Sequence, residues 1–427
     1  MLDIKFVREN PEKVKENIRK KFQDKKLGLV DEVIELDRRI RELKTNGDVL
    51  RQERNKTSDE IGLLFREKKI YEANEKKQLV VEINEKLTKI EADEIELNEK
   101  LKEKKMVIPQ MIDDSVPIGK DDSENVEIER FGEPIVPEYE IPYHADICEA
   151  LQGLDKASAG RTSGNGFYYL MGDIARLHSA MLSYARDFMI DKGFKYCVPP
   201  FMIRSDVVNG VMSFEEMGAM MYKIQDEDLY LIGTSEHSMI GKFKGQIIKE
   251  EDLPIALTSY SPCFRKEVGA HGLEERGLYR VHQFEKQEMV VLCKKEDAMD
   301  WYNKMWSYTV EFFRNLDVPV RTLECCSGDL ADLKVKSCDV EAWSPRQKKY
   351  FEVGSCSTLG DAQARRLGIR AKGENGNYLL STLNNTVVAS PRGMIAVIEN
   401  NYNEDGSINI PKALQPYMGG KEVIKLK

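Results

Sequence analysis

Two long heptad patterns near the N-terminus constrain the fold of this chain most strongly. Apolar residues recur there in steps of three and four, and charged residues fill most of the other positions. One series spans residues 33–64 and the other residues 73–101, with a polar break near residues 68–71. We predict an antiparallel coiled-coil hairpin over about residues 30–105. Each arm would hold about 35 residues and extend roughly 50 Å at 1.5 Å per residue.

The seam of this hairpin is not uniformly apolar, because Gly47, Arg54 and Glu94 interrupt it. Charged residues on helices usually form a solvated face, so the pattern alone favours a dimerisation or spacer coil. An arm that contacts RNA is the alternative. The basic residues that could then contact phosphate groups are Arg51, Arg54, Lys56, Lys68, Lys69, Lys76 and Lys77.

The composition is that of a soluble, acidic protein. The net charge is −9, so any RNA site must be a local positive patch on an acidic body. The eight cysteines form no C-x-x-C pair, which indicates reduced thiols rather than a zinc site. No signal peptide is visible, and no apolar run approaches the roughly 20 residues that cross a bilayer. We therefore predict a cytoplasmic protein with no membrane association.

Composition and periodicity change after the hairpin, and this change predicts a domain boundary. A basic helical head, with Pro11 in the first turn of a helix, precedes the hairpin. A proline-rich stretch follows it over residues 106–142. We predict an N-terminal helical arm domain over residues 1–110 and a second domain over residues 111–427.

The second domain mixes helical and strand-like patterns. Helices are predicted over residues 172–192 and 296–316. Strands are predicted over residues 256–263, 279–284, 289–293, 349–354 and 394–399. This mixture predicts an α+β fold built on an antiparallel sheet.

Several charged residues stand inside these strand-like stretches, where an unpaired charge is costly. Arg265 and Glu267 precede a glycine-containing segment, and a polar stretch that ends at Glu288 follows it. A guanidinium in such a setting can grip a phosphate or a carboxylate in a fork. The sequence contains neither the P-loop pattern nor a strand-linked G-x-G-x-x-G. The residues alone therefore predict a site for an anionic ligand, and they leave the reaction open.

Taken together and in this order, these segments resemble the motifs of class II aminoacyl-tRNA synthetases, and among them the seryl-tRNA synthetase family. Residues 193–200 resemble motif 1, residues 264–288 motif 2 and residues 384–400 motif 3. Residues 234–236 stand where the family has its T-x-E triplet, and the hairpin resembles its tRNA-binding arm. The resemblance covers essentially the whole chain, and it implies a class II catalytic domain over residues 111–427.

This resemblance implies a serine–tRNA ligase. Such an enzyme activates L-serine with ATP to seryl-adenylate and transfers the seryl group to the 3′ end of tRNA(Ser). The resemblance also implies that the arm contacts the long variable arm of tRNA(Ser). A homodimer is implied as well, because the arm would touch the tRNA that the partner subunit charges. Mg²⁺ is the implied metal.

Roles in ATP binding follow from the positions within the motifs. The resemblance implies that Arg265 bridges the α-phosphate and the serine carboxylate, and that Glu267 accepts a hydrogen bond from the adenine amino group. Phe284 and Arg392 would stack on the two faces of adenine, and Arg276 would reach the outer phosphates. The implied catalytic residues are Arg265, Glu267 and Arg392. The implied ATP site comprises Arg265, Lys266, Glu267, Arg276, Phe284, Glu352, Val353, Gly354, Ser355 and Arg392.

The resemblance also implies a metal site and a serine site. Glu352 and Ser355 match the positions that hold the divalent cation against the phosphates. Carboxylates in the serine site suit the ammonium group and the hydroxyl, and a site with buried polar groups rejects alanine. The implied serine site comprises Thr234, Glu236, Arg265, Glu288, Asn384 and Thr386.

The chain departs from the family pattern in places. The motif 2 loop contains Leu273, Glu274 and Glu275, so it loses a basic residue and gains an acidic one. Ordinary variation in loops is the simpler explanation, and an altered interaction with the acceptor end of tRNA is the alternative. The other departures are Gly354, Thr358, Ala362, Asn385, Thr386 and Gly393.

Two other functions compete with serine–tRNA ligase. A synthetase-like paralogue would activate serine or a related amino acid for another acceptor; the altered loop favours it and the intact arm opposes it. A catalytically silent RNA-binding module is the second. Such a module would be free to lose costly polar residues, yet the chain retains Arg265, Glu267, Glu288, Glu352 and Arg392.

Overall fold

A computed structural model of the protein describes residues 1–267 and 277–426. Two compact units make up these residues, Met1–Pro109 and Gln110–Lys427. Within the described ranges, no helix combines the length and the apolar character that a membrane span requires.

The first unit is helical. Its elements are α1 (Ile4–Glu9), α2 (Pro11–Lys20), α3 (Leu27–Arg66) and α4 (Ile70–Val107). Pro11 occupies the first position of α2, where its missing N–H leaves no hydrogen bond unmade. The two long helices hold 40 and 38 residues, or roughly 60 Å each at 1.5 Å per residue.

The seam between α3 and α4 buries the residues of the predicted heptads, so the coiled-coil hairpin is confirmed. Gly47 is buried in the seam, where a Cβ would lie 3.6 Å from Ile90 on the opposite helix. The break is shorter than predicted, because Ile70 and Tyr71 already belong to α4. Apolar residues buried in this unit include Val33, Leu36, Ile40, Ile83, Leu87 and Leu97.

The second unit is α+β. Its helices are α5 (His144–Ala150), α6 (Lys156–Ser163), α7 (Gly172–Asp191), α8 (Ser205–Val211), α9 (Phe214–Met220), α10 (Ser235–Gly241), α11 (Ala298–Arg314), α12 (Ala362–Leu367) and α13 (Arg392–Asn400). Its strands are β1 (Val126–Phe131), β2 (Leu154–Asp155), β3 (Tyr169–Leu170), β4 (Lys195–Tyr196), β5 (Met202–Ile203), β6 (Tyr230–Leu231), β7 (Ile247–Lys249), β8 (Ile255–Phe264), β9 (Gln283–Cys293), β10 (Val320–Glu324), β11 (Lys336–Ser344), β12 (Lys349–Thr358), β13 (Arg370–Gly373), β14 (Gly376–Leu379), β15 (Ser381–Ser390), β16 (Ile408–Asn409) and β17 (Val423–Ile424).

An eight-stranded sheet in the order β1-β10-β11-β12-β15-β9-β8-β4 forms the centre of this unit. Its neighbouring strands are antiparallel except β4 and β8, which are parallel. The main core lies between one face of the sheet and helices α7 and α11, where Met289 and Val340 meet Met181 and Phe312. The predicted antiparallel α+β fold is confirmed.

Three expectations for this unit need correction. The strand predicted over residues 394–399 is wrong, since these residues belong to α13. The pattern misled the prediction because all six residues are buried, and a short buried apolar run looks the same in a helix and in a strand. Residues 279–282 precede β9 rather than forming part of a strand, since β9 begins at Gln283. The proline-rich stretch contains β1, an exposed edge strand whose polar residues disguise it.

Candidate active site

Polar side chains gather on the face of the sheet that points away from α11. Along β9, Phe284, Lys286 and Glu288 share this face, because side chains of a strand alternate between its two sides. Met289 and Val291 point into the main core. Charges at alternate positions of a buried strand are costly unless they are paired, so they indicate a ligand site.

Glu288 stands at the centre of a buried polar group. It lies directly opposite Thr386 on β15, and Thr386 Oγ1 donates a hydrogen bond to Glu288 Oε2 at 3.3 Å. Lys286 forms a salt bridge with the same carboxylate, and its Nζ donates to Thr386 Oγ1 at 3.5 Å. All three residues are buried. Together they offer donors and acceptors to a small polar ligand.

Helix α10 brings a second carboxylate to this place. Thr234 caps the helix, and its Oγ1 accepts a hydrogen bond from the backbone N–H of Glu236 at 3.3 Å. Burial, and then the charge of Glu288, raise the pKa of Glu236 to about 7. Two carboxylates that repel each other form a locus that attracts a cationic group.

Arg265 joins the start of α10 to the end of β8. Its Nε donates a hydrogen bond to the carbonyl oxygen of Gly233 at 3.2 Å. The guanidinium carbon lies 5.3 Å from the centroid of the Phe284 ring. The backbone N–H of Arg265 donates to the carbonyl of His282 at 2.9 Å. These contacts fix the guanidinium at the wall of the site before any ligand binds.

Glu267 follows Arg265 with an uncommon backbone conformation. Its φ is +44°, in the left-handed region where residues with a Cβ are strained. Arg280 forms an ion pair with its carboxylate at 3.3 Å. Lys266, which stands between Arg265 and Glu267 in the chain, is half-buried. Its backbone N–H donates to the carbonyl of Met220 at 3.0 Å. Arg276, predicted to reach the outer phosphates, lies outside the described residues.

Arg392 approaches the site from the opposite side, as the first residue of α13. Its guanidinium carbon lies 4.4 Å from the centroid of the Tyr279 ring, and its Nη1 is 3.0 Å from Glu352 Oε2. The attraction of Glu352 raises the pKa of Arg392, although burial opposes that shift. The cation is therefore held in place by an aromatic face and a carboxylate.

A β-bulge brings Glu352 and Ser355 to the same face of β12. Strand register passes from Val340 opposite Gly354 to Glu341 opposite Glu352, so Val353 is an extra residue on β12. Ser355 pairs with Asp339, which is two residues from Glu341 on β11. Glu352 and Ser355 therefore point the same way, although an odd spacing in a regular strand would separate them.

The oxygen donors beside this bulge suit Mg²⁺. Asp339 lies on the same face as Glu352 and Ser355, according to the strand register. Burial, and then the charge of Glu352, raise the pKa of Asp339 above its usual range. Carboxylate and hydroxyl oxygens are ligands that Mg²⁺ accepts, and the ion keeps several waters of its own. The residues thus fit the metal that the sequence predicts.

A cavity of about 290 Å³ lies between Arg265 and Phe284 on one side and Arg392 and Glu352 on the other. A second cavity of about 860 Å³ shares Tyr279, Arg280, Glu352 and Arg392 with it and extends towards Asp339 and Glu341. Six described residues that the sequence predicts for the site do not line the first cavity, namely Thr234, Glu236, Glu288, Asn384, Ser355 and Lys266. Eight predicted residues line it, namely Arg265, Glu267, Phe284, Glu352, Val353, Gly354, Thr386 and Arg392.

The two adjacent asparagines of β15 face opposite sides of the sheet. Asn385 is buried, and its Nδ2 donates to the carbonyl of Met305 at 2.6 Å and to Thr309 Oγ1 at 2.9 Å. Asn384 lies two residues from Thr386 and therefore shares its face. Of this pair, Asn384 lies on the face of the sheet that carries Glu288 and Thr386.

Two family models match the chain. The seryl-tRNA synthetase N-terminal domain matches residues 1–112, and the class II tRNA synthetase core domain (G, H, P, S and T) matches residues 221–401. Serine–tRNA ligase of Methanoculleus marisnigri is 39% identical, over 99% of this chain and 100% of that protein. The chain belongs to the seryl-tRNA synthetase family.

Solved structures of seryl-tRNA synthetases agree with this assignment. That of Pyrococcus horikoshii, complexed with ATP, has a TM-score of 0.95 and 38% identity, and the match covers 100% of both chains. The cytoplasmic serine–tRNA ligase of Naegleria fowleri, in complex with AMP, has a TM-score of 0.89 and 30% identity over 100% of this chain and 99% of that one. A prolyl-tRNA synthetase of Giardia lamblia shares only the fold, at 16% identity and a TM-score of 0.55.

Sequence reasoning missed several residues of this candidate site. Lys286 carried a signal, because it is a cation between two glutamates inside a strand-like run. Asp339 follows an apolar and polar alternation that also fits an ordinary strand. Tyr279 carried no signal in the sequence, because its stacking with Arg392 depends on the tertiary fold. Gln363 contacts Glu236 across 127 residues of sequence.

Proposed function

We propose that this protein activates L-serine with ATP and transfers the seryl group to the 3′ end of tRNA(Ser). One observation carries the proposal: Arg265 lines one cavity together with Phe284 and Lys286, and Lys286 pairs with Glu288, whose charge acts on Glu236. The same cavity wall thus offers a guanidinium that can bind an anion, a flat aromatic surface and, through Lys286, a connection to an acidic pair. ATP and an amino acid match these three features.

ATP would bind in the cavity of about 290 Å³. Phe284 and Arg392 line it and would take the two faces of adenine, while Glu267 would accept a hydrogen bond from the adenine amino group. Val353 and Gly354 line the same cavity beside them. Lys266 and Arg276 would complete the path of the phosphates.

Glu352 and Ser355 would hold Mg²⁺ against the phosphates. The bulge at Val353, which turns both side chains to one face, supports this role. A bound Mg²⁺ would neutralise charge on the phosphate oxygens. Arg392, paired with Glu352 at 3.0 Å, would keep the carboxylate directed at this point.

Serine would bind in the acidic locus beside Arg265. Glu236 and Glu288 suit its ammonium group, and Thr386 with Glu288 would accept and donate hydrogen bonds at its hydroxyl. Thr234 and Asn384 would complete the site. Alanine leaves the buried partners of the hydroxyl unpaired, which costs about 1–3 kcal/mol for each group.

The chemistry consists of positioning and charge stabilisation. A serine carboxylate oxygen attacks the α-phosphorus of ATP, and the bond to the β-phosphate oxygen breaks, so pyrophosphate leaves. Arg265 orients the carboxylate and stabilises the charge that gathers on the α-phosphate oxygens. The ribose 3′-hydroxyl of the terminal adenosine then attacks the seryl carbonyl carbon, and AMP leaves.

The helical arm would bind tRNA(Ser) within a homodimer. Several of its basic residues lie in ion pairs: Arg51 with Asp48 and Glu91, and Lys76 with Glu60. These pairs reduce the charge available to phosphate. The arm would thus contact RNA with few lysines rather than with a continuous basic stripe.

We propose a cytoplasmic location as well, and a boundary at residue 110 that the division of the chain at Pro109 supports.

Pyrophosphate exchange with each amino acid in turn tests the activation step. Serine-dependent exchange that Arg265→Ala abolishes, followed by charging of tRNA(Ser), is the expected result. Arg130→Ala is the matched control, since Arg130 is exposed on β1 and paired with Glu127. Exchange with another amino acid alone would favour the paralogue. No exchange with any amino acid, with tRNA present, would favour the silent RNA-binding module.

A further inference from the structure

Gln363 is a buried amide in contact with the carboxylate of Glu236. It lies on α12 and has no exposed surface. Its Nε2 donates to Glu236 Oε1 at 2.8 Å and to the carbonyl of Val211 at 3.2 Å. Its Oε1 accepts a hydrogen bond from Thr382 Oγ1 at 2.7 Å. Burying an amide is costly without such partners, and here both ends are used.

Two acceptors, the Glu236 carboxylate and the Val211 carbonyl, determine that the NH₂ end of the amide faces Glu236, and Thr382 satisfies the other end. Its hydroxyl can donate to the amide oxygen, and this leaves the NH₂ group for the carboxylate. The reverse orientation would set the amide oxygen against Glu236 and bring two acceptors together. Thr382 belongs to β15, on the same face as Asn384 and Thr386. The amide oxygen of Gln363 is therefore satisfied by the strand that also presents the hydroxyl partner of Glu288.

We infer that Gln363 is a positioning residue for serine binding, because its amide holds the Glu236 carboxylate ionised and aimed at the ammonium group of the substrate. This inference rests on the proposed serine-binding role of Glu236. Gln363 would touch no substrate atom and would act only through Glu236. Thr382 would support it by locking the amide.

The electrostatic surroundings of Glu236 explain why it needs such a donor. Burial and the charge of Glu288, on β9, both favour the protonated form of Glu236, whereas Lys286, also on β9, and Lys334 favour the ionised form. The hydrogen bond from Gln363 acts in the same direction as the two lysines and lowers the pKa of Glu236. His237, the next residue of α10, is buried with a pKa lowered to about 3, so it stays neutral.

Removing the donor should therefore weaken serine binding more at low pH than at high pH. Gln363→Met keeps the volume of the side chain and removes both hydrogen-bonding ends. At pH 7 it should raise KM for serine roughly 10-fold and leave KM for ATP nearly unchanged, because a hydrogen bond to a charged group is removed. The acid limb of the pH profile of kcat/KM for serine should move to higher pH, and the defect should narrow near pH 8.5.

Thr382 provides a second test that leaves the contacts of Gln363 with Glu236 and Val211 chemically possible. Thr382→Val should move KM for serine and the acid limb in the same direction by a smaller amount. Thr382→Ser keeps the hydroxyl and should reverse most of that change. Gln415→Met is the matched control, because the Gln415 amide donates to the carbonyl of Ile410 outside the site.

The outcomes separate this inference from the proposed function. A Gln363→Met enzyme with equal losses for serine and ATP and an unmoved acid limb would overturn the inference, since a merely structural residue behaves that way. The Glu236→Gln variant then distinguishes an error about Gln363 from an error about the serine-binding role of Glu236. If that change raises KM for serine and Gln363→Met does not, only the role of Gln363 is wrong. If Glu236→Gln leaves KM for serine unchanged, the serine-binding role of Glu236 is wrong and the inference falls with it.

Discussion

Gly354 leaves room for the backbone of Thr386, because a Cβ at Gly354 would lie 3.0 Å from the Thr386 carbonyl oxygen. The same Cβ would come 3.1 Å from the methyl group of Thr309 on α11. Thr309 Oγ1 already donates a hydrogen bond to that carbonyl at 2.8 Å. A side chain at position 354 would therefore press on the segment that carries a proposed serine contact.

Gly354→Ser should weaken serine binding and destabilise the protein. Displacing Thr386 by a few tenths of an ångström would raise KM for serine, and the overpacked sheet would lose about 1 kcal/mol of unfolding free energy. Urea unfolding and pyrophosphate exchange measure the two effects. Gly160→Ser is the control, since a Cβ there meets nothing within 4 Å. Equal behaviour of the two variants would contradict this explanation of Gly354.

Arg265→Lys should lower kcat strongly, although the charge is kept. Lysine cannot replace the guanidinium fork that reaches the Gly233 carbonyl and a ligand at the same time. We expect a loss of about 100-fold in serine-dependent exchange, as for removal of one donor that stabilises transition-state charge. Arg130→Lys, on the exposed edge strand, should retain full exchange. An Arg265→Lys enzyme with normal kcat would argue against charge stabilisation by the fork.

Thr386→Val should reduce the preference for serine over alanine. The hydroxyl of Thr386 bonds Glu288 at 3.3 Å, and valine replaces it with a methyl group of similar size. We expect KM for serine to rise about 10-fold and KM for alanine to change little. Thr88→Val, on the helical arm, is the control, because the Thr88 hydroxyl bonds only its own helix at Asn84. Parallel losses for both amino acids would contradict a role in hydroxyl recognition.

Glu236→Gln should stabilise the fold at high pH while it damages activity. The folded protein holds the Glu236 proton more tightly than the unfolded chain, because the pKa rises from 4.5 to about 7. Stability therefore falls as pH rises from about 4.5 to 7, and the cost persists above pH 7, on the order of 3 kcal/mol. The gain from Glu236→Gln should appear at pH 8 and vanish at pH 4.5 in urea unfolding. A gain independent of pH would point to packing instead.

Reversing two charges on the arm should weaken tRNA binding without a change in mechanism. Lys56 and Lys68 are exposed on the hairpin. The double change Lys56→Glu and Lys68→Glu should raise KM for tRNA and reduce the slope of log K against log salt by about 1 for each phosphate group that a lysine no longer neutralises. Serine-dependent exchange without tRNA reports on the second unit. Lys412→Glu, an exposed change in that unit, should leave the salt slope intact.

Much of the fold followed from local patterns in the sequence. Heptads located α3 and α4 because the coiled-coil period of a long helix is visible without tertiary information. Motif spacing also predicted roles for Arg265 and Arg392, which line the adjoining cavities, and for Glu288, whose carboxylate pairs with Lys286 in the wall of the first cavity. Arg265, Glu288 and Arg392 could be predicted because each stands inside a motif that is continuous along the chain.

The rest of the site depends on contacts between distant segments. The bulge at Val353 arises from register between β11 and β12, and no residue type in β12 announces it. Gln363 reaches Glu236 only because α12 packs against α8, beside α10. The buried residues of α13 carried no periodic signal, since burial on every side removes the contrast that distinguishes helix from strand.

The bulge at Val353 makes the length of β12 matter more than the identity of the bulged residue. It reverses the phase of the strand, so that Phe351 and Cys356 both serve the core while Glu352 and Ser355 both face the ligand. Losing one residue at this point would turn either the proposed metal donors or the core side chains to the wrong side. Insertions and deletions in this strand should therefore be more damaging than exchange of Val353, a core residue, for another apolar residue of similar volume.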